Sequence, residues 1–338
     1  MKTEFEIADR HVGGDAPTLV IAEAGIAHFG DMGLARELLA MSVAARADVF
    51  KLQLFDVDAL IASRAPDWRE RLAPRQLSFE QVEEIATACR QQGLIFMATV
   101  HDETKIPWLE ALEVEAVKVG SGERNNPAFL ERLARLGKPM IVSTGMYTES
   151  DVREALAACE RGGCDRVALL HCVSSYPTPD EQVNLAAMGT LARAFPVPVG
   201  YSDHTPDHLA VLAAVARGAC VIEKHITILR DVPDAQDWKV SAGPDDFAEL
   251  VSDIRRVERM RGEGQKEPRP CELASVEWAT KSLVAARNLP ENHVLAAGDV
   301  LAKRPGDGVS PNRIDEVLGR ALRRGLAADQ PIHLDDLL

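Results

Sequence analysis

The chain has 338 residues, 46% of them hydrophobic, and carries a formal net charge of −14 at pH 7. That length allows one large domain, or one large and one small, with an ample core. The acidic balance without a dominant Lys/Arg cluster argues against a nucleic-acid footprint, and no run of 18 apolar residues is long enough to span a membrane.

The opening MKTEFEIADR is charged and lacks the apolar stretch of a signal peptide. The six cysteines form no C-x-x-C pair, so a reduced, cytoplasmic protein is expected. Residues 18–261 then read as strand and helix in alternation, eight times. The predicted strands are 18–26, 49–55, 95–100, 116–121, 139–144, 167–172, 198–203 and 220–226. Clear helical segments fall at 31–46, 79–92, 150–161, 207–217 and 244–261, with Ser78 and Ser150 as expected caps. Near-continuous apolar strands are buried on both faces, and eight βα units in about 250 residues fit an α/β fold of the (β/α)8 TIM-barrel type. A doubly wound sheet would more often show a Gly-rich first turn, and none is present.

A barrel of this kind gathers its chemistry at the carboxyl ends of the strands. Read in order, those ends carry Glu23, Lys51 with Gln53, Thr99, Lys118 with Ser121 and Glu123, Ser143 with Thr144, His171, Ser202 with His204, and Glu223 with His225. One polar residue beside an apolar barrel is usually a satisfied core group; recurrence in all eight strands points to a functional ring. His204 and His225 follow consecutive strands joined by a helical crossover, so both emerge at the same end and can hold a divalent metal. Residues 262–280 lose apolar periodicity and read as a linker, leaving a barrel over 1–261 and a small β-rich module over 281–338.

The motifs IAEAGIAHFGD (21–31), KLQLF (51–55), KVGSGERNN (118–126), GKPMIVSTGM (137–146), LLHCVSSYPTP (169–179), VGYSDHT (199–205) and IEKH (222–225), in this order, resemble the bacterial sialic acid (nonulosonic acid) synthase family. The tail, with KRPGDGVSP (303–311), is similar to the SAF, or antifreeze-like, domain that such synthases carry. The resemblance implies condensation of phosphoenolpyruvate with the aldehyde of an open-chain N-acetylhexosamine, with release of phosphate. It implies a divalent metal on His204 and His225, usually Mn²⁺, with Mg²⁺ or Co²⁺ as alternatives. Lys51, Thr99, Lys118, Ser121, Ser143, Ser174 and Ser202 match positions near phosphoenolpyruvate, and Glu23 matches a site position for acid/base work or lysine alignment. Gln53, Glu123, Tyr176, Asp237, Trp278 and Arg304 match positions near the sugar, with Arg304 reaching the partner's site in a domain-swapped homodimer.

The chain departs from the family pattern in places: the segment over 56–77, which relatives use to touch the sugar, is shorter than in many of them, and Ser174 stands where some members have Asn. Ala27 and Phe29 stand where asparagines usually flank His28, and Trp238 stands where a histidine is common. The acceptor-facing positions therefore drift more than those for metal and phosphoenolpyruvate. Three rivals are kept in view: a Schiff-base aldolase using Lys118 or Lys224, a related synthase acting on a shorter sugar phosphate, and a non-catalytic scaffold.

Overall fold

The computed structural model describes residues 1–338 except Asp234 and Gln236 and the side chain of Glu277. The chain divides into two compact units, Met1–Gly262 and Glu263–Leu338.

The first unit opens with an antiparallel hairpin, β1 (Glu4–Ile7) and β2 (Arg10–Gly13). Eight strands follow: β3 (Leu19–Gly25), β4 (Val49–Leu54), β5 (Ile95–Val100), β6 (Val117–Val119), β7 (Met140–Ser143), β8 (Val167–His171), β9 (Val199–Asp203) and β10 (Val221–His225). They close into an all-parallel barrel in chain order, with β10 pairing back onto β3. This is the TIM-barrel architecture read from the sequence, and helices occupy the connections.

The inward faces of the strands follow one rule. Each carries an apolar or small residue toward the floor and a polar residue two positions later, because side chains of a strand alternate between faces. The pairs are Ile21 and Glu23, Val49 and Lys51, Met97 and Thr99, Ala116 and Lys118, Ile141 and Ser143, Leu170 and Cys172, Gly200 and Ser202, and Val221 and Glu223. The lower, apolar members pack with Phe5, Ile7 and Val12 of the hairpin, which plugs the amino-terminal end of the barrel. Gly200 belongs to this packing by size: a Cβ there would fall 2.3 Å from Val221 O and 2.7 Å from Leu170 Cδ2. The outward residues, among them Val20, Phe50, Phe96, Val142 and Ile222, pack in the main core with the helices.

Period two also corrects part of the ring expected from sequence. Thr144 and His171 lie on the outward side, where Thr144 Oγ1 donates to Leu170 O at 2.9 Å and His171 Nε2 to Val183 O at 2.8 Å. Lys224 is outward too: its Nζ lies 2.5 Å from Asp203 Oδ2 and donates to Thr205 O at 2.7 Å and Asp207 O at 2.9 Å.

The helix Phe79–Gln91 begins with the expected Ser78 cap, completed by Gln81. The helix Glu149–Arg161 is capped by Thr148 rather than Ser150, because Thr148 accepts from Asp151 N while the Asp151 carboxylate accepts from Thr148 N at 2.7 Å. The segment after β4 folds into short helices, Val57–Leu60 and Pro66–Leu72.

In the second unit, residues read as a linker include a short helix, Leu273–Ala279. Beyond it, β11 (Ser282–Ala285) and β12 (Val300–Lys303) pair antiparallel over a small core that includes Leu283, Leu289, Val309, Val317 and Ile332. A 3-10 helix, Pro311–Glu316, follows β12.

Candidate active site

The inward polar residues open into a cavity of 330 Å³ at the carboxyl end of the barrel. Its floor is a four-charge cluster. Lys51 Nζ donates to Thr99 Oγ1 at 3.0 Å and lies 3.1 Å from Glu23 Oε2 and 3.3 Å from Glu223 Oε2. Lys118 Nζ donates to Ser143 Oγ at 2.6 Å and lies 3.6 Å from the same Glu223 oxygen. The other Glu223 oxygen accepts from Ser202 Oγ at 3.0 Å, and Gln53 Nε2 donates to Glu23 Oε1 at 2.6 Å. All four charged side chains are at most 5% exposed, and their charges cancel.

Burial sets the electrostatics. Desolvation would raise the Glu223 carboxyl, but Lys118, Lys51 and His225 outweigh it and hold the group at about 2. Desolvation pulls the Lys51 ammonium down, yet Glu223 and Glu23 more than reverse that and its pKa rises. For Lys118 burial prevails: its pKa is lowered, with Glu223 opposing and Lys51 adding to the drop. Apart from the ammonium groups of Lys51 and Lys118, Glu23 Oε2 and Glu223 Oε2 have no hydrogen-bond partner among the described residues, so both keep spare acceptor capacity.

Beside this floor is a hydroxyl cradle. Gly145 N donates to Ser121 Oγ at 2.9 Å. A Cβ on Gly145 would fall 2.3 Å from Ser174 Oγ, 2.8 Å from Ser121 Oγ and 3.0 Å from Cys172 Sγ, so only glycine admits this close approach. A main-chain turn set against two serines, next to two lysines, suits a phosphate or carboxylate.

His204 and His225, from the adjacent strands β9 and β10, have ring centroids 5.6 Å apart. His204 Nδ1 is 2.6 Å from Val173 O. A carbonyl only accepts, so the proton sits on Nδ1 and Nε2 presents its lone pair. Burial first, and His225 second, lower the His204 pKa to about 4, keeping the ring neutral near pH 7. Two imidazoles beside the Glu223 carboxylate form a mixed nitrogen and oxygen donor set that fits a divalent metal. Tyr176 packs against the pair, 4.1 Å from His204 and 5.9 Å from His225 between centroids. A second donor group, His208, Glu249 and Asp253, brings its ligand atoms within 4.8 Å of one another. Its Asp253 carboxylate already pairs with Arg256 at 2.6 Å, and none of its residues lines the barrel cavity.

Most sequence-predicted site residues meet in this one cavity. Glu23, Lys51, Gln53, Thr99, Lys118 and Ser121 line it, as do Ser143, Ser174, Tyr176, Ser202, His204, His225 and Asp237. Glu123 does not line it; its carboxylate accepts from Asn126 Nδ2 at 2.9 Å. Trp278 and Arg304 belong to the second unit, where the Arg304 guanidinium lies 5.4 Å from the Trp278 ring centroid.

The cavity wall also holds residues that sequence reasoning missed: His101, Trp68, Arg71, Arg75, Met146 and Cys172. His101 had a readable signal, two residues beyond Thr99 on the same strand face. Trp68, Arg71 and Arg75 come from the segment after β4, which the family resemblance marks as a sugar-contacting loop without singling out these residues. The departures Ala27, Phe29 and Trp238 line the same cavity. Phe29 adopts φ 49°, a left-handed conformation unfavourable for a bulky residue, with the Arg75 guanidinium 5.0 Å from its ring centroid.

Comparison with known proteins agrees with this architecture. Residues 38–266 match the model of the NeuB family, and residues 280–338 match that of the SAF domain. The chain is 34% identical to the N,N'-diacetyllegionaminic acid synthase of Campylobacter jejuni, over 93% of this chain and 98% of that one. It is 32% identical to the human N-acetylneuraminate-9-phosphate synthase, over 98% and 96%. Among solved structures, the N-acetylneuraminic acid (sialic acid) synthetase of Leptospira borgpetersenii superposes with a TM-score of 0.77 at 31% identity, covering 82% of this chain and 96% of that one. With a barrel matched over most of its length and a tail matched to the SAF domain, this chain belongs to the NeuB family.

Proposed function

We propose that the chain condenses phosphoenolpyruvate with the open-chain aldehyde of an N-acylated hexosamine, giving a nonulosonic acid and phosphate. The observation that carries this reading is the convergence, in one 330 Å³ cavity, of a lysine and hydroxyl cradle with a pair of imidazoles. Phosphoenolpyruvate needs cations and donors for its phosphate and carboxylate; Lys51, Lys118, Ser121 and Ser174, which line the cavity, supply them. His204 and His225 would hold a divalent metal, which acts as a Lewis acid on the acceptor carbonyl. The methylene carbon of phosphoenolpyruvate bonds to the aldehyde carbon, water adds to the resulting cationic carbon, and phosphate departs with cleavage of its C–O bond. Glu23 Oε2, buried and held only by the Lys51 ammonium, is the acceptor available for the proton of that water.

Arg304 is assigned to the acyl group in a partner's cavity through a domain-swapped homodimer, as the family pattern implies. Leu273, Val276 and Trp278 on the short helix are 61%, 44% and 59% exposed, apolar surface that a partner subunit would cover. The Schiff-base rival cannot use Lys224, which is fastened to Asp203 outside the barrel cavity.

The test is phosphate release from phosphoenolpyruvate with and without Mn²⁺, across N-acetylmannosamine, its 6-phosphate and di-N-acetylated 6-deoxy hexoses. Metal-dependent release with one of them, abolished by chelation, is the expected result. Borohydride trapping of Lys118 to a keto substrate without metal would replace this reading with the aldolase.

A further inference from the structure

His101 is a titratable cavity group that neither the hydrogen-bond network nor the condensation chemistry above uses. It follows β5 and continues the inward face of Met97 and Thr99. In the closed barrel β5 lies opposite β9, four strands away, and so across the cavity from His204. The ring packs over the Gly120 backbone, where an added Cβ would come 3.6 Å from its Cε1. Among the described residues no side chain or carbonyl hydrogen-bonds its nitrogens. The charged groups it faces are Lys51 on β4 and Lys118 on β6, with Glu23 and Glu223 across the floor. Its chain neighbour Asp102 is occupied elsewhere, accepting from Asp56 N at 2.6 Å and Thr104 N at 2.9 Å.

The floor is electrically self-cancelling: two ammonium groups meet two carboxylates. An entering phosphoenolpyruvate brings phosphate and carboxylate charge into a cradle whose lysines are already matched. We propose that His101 is a further binding residue for phosphoenolpyruvate, and that it takes up a proton from solvent as the anion enters, becoming a third cation beside Lys51 and Lys118. This rests on the phosphoenolpyruvate reading above. Burial first, then Lys51 and Lys118, hold the imidazole at about 4, so it is neutral near pH 7. One negative charge about 4 Å away, at an effective dielectric constant of about 20, moves such a group by about three pH units. A phosphate dianion is therefore sufficient to charge the ring.

The test is calorimetric titration of phosphoenolpyruvate into the Mn²⁺-loaded full chain at pH 8, in two buffers of different ionisation enthalpy. The phosphate is already fully ionised there, its second pKa being about 6, so any proton taken up goes to the protein. The native protein is expected to take up close to one proton per bound ligand. His101→Gln keeps a hydrogen-bond donor but cannot charge; it is expected to take up none and to bind at least about tenfold more weakly. His101→Asn serves if the glutamine variant does not fold. Binding without proton uptake by the native protein, or equal uptake by native and variant, overturns the role of His101 and leaves the phosphoenolpyruvate reading standing. Absence of any phosphoenolpyruvate binding by the native protein overturns both.

Discussion

Two buried lysine–carboxylate clusters sit on opposite faces of the same barrel wall, and β10 contributes to both. Lys224 points outward, where Asp203, Thr205 O and Asp207 O satisfy its three protons. Asp203 is saturated as well, accepting from Tyr201 Oη at 2.9 Å and from the Thr205 hydroxyl. One residue earlier, Glu223 points inward and is shared between Lys51 and Lys118, with one oxygen lacking a hydrogen-bond partner. A closed network rigidifies a wall; an open one keeps capacity for a ligand. The comparison separates charges that hold the fold from charges that await substrate, although both lie within 5% of full burial.

The sharpest way to break this comparison is to remove one lysine from each side. Lys224→Met strands Asp203 as a buried, unpaired charge and is expected to cost roughly 3–5 kcal/mol of stability, read as a lower denaturant midpoint. Lys118→Met leaves Glu23 and Glu223 sharing Lys51 at the floor of an open cavity, and is expected to cost less stability than Lys224→Met while lowering phosphate release by about 10²- to 10³-fold. Equal stability losses in the two variants would erase the distinction.

A smaller effect comes from acid. His28 is fully buried, and desolvation followed by Arg75 lowers its pKa from 6.5 to about 4. The unfolded chain therefore binds the proton first, and native stability falls as pH drops from about 6.5 to about 4, by up to about 3 kcal/mol from this group. Denaturant midpoints at pH 7 and pH 5 should show the loss, and His28→Asn should remove its share of the slope.

The smallest effect concerns the cavity mouth. Phe29→Asn relieves a left-handed bulky residue and is expected to gain up to about 1 kcal/mol, offset in part by lost stacking with Arg75. Acceptor KM should rise while that for phosphoenolpyruvate stays put. A change confined to phosphoenolpyruvate would show that Phe29 faces the wrong substrate.

Much of this was legible before the fold was seen, for a physical reason. Barrel strands alternate faces, so a polar residue two positions beyond a buried apolar one marks the mouth; Glu23, Lys51, Thr99, Lys118 and Glu223 all announce themselves so. His171 and Thr144 misled because the same strand ends also carry outward polar residues, and parity had to be counted from the hairpin-plugged floor. His101 obeyed the rule and was overlooked. The hairpin itself showed only a short alternation, Phe5 and Ile7, too little to identify a plug. Trp68, Arg71 and Arg75 were illegible because their place depends on how short helices after β4 fold back over the mouth, a long-range fact with no local periodicity.

Condensation of phosphoenolpyruvate is the chemistry proposed for the inward cluster. Its most direct test is reaction of phosphoenolpyruvate carrying ¹⁸O in the bridging C–O–P position with the accepted amino sugar and Mn²⁺. The label is expected to leave with phosphate while a nine-carbon 2-keto acid forms. Label retained in the keto acid, or a keto acid formed without phosphate release, would contradict it.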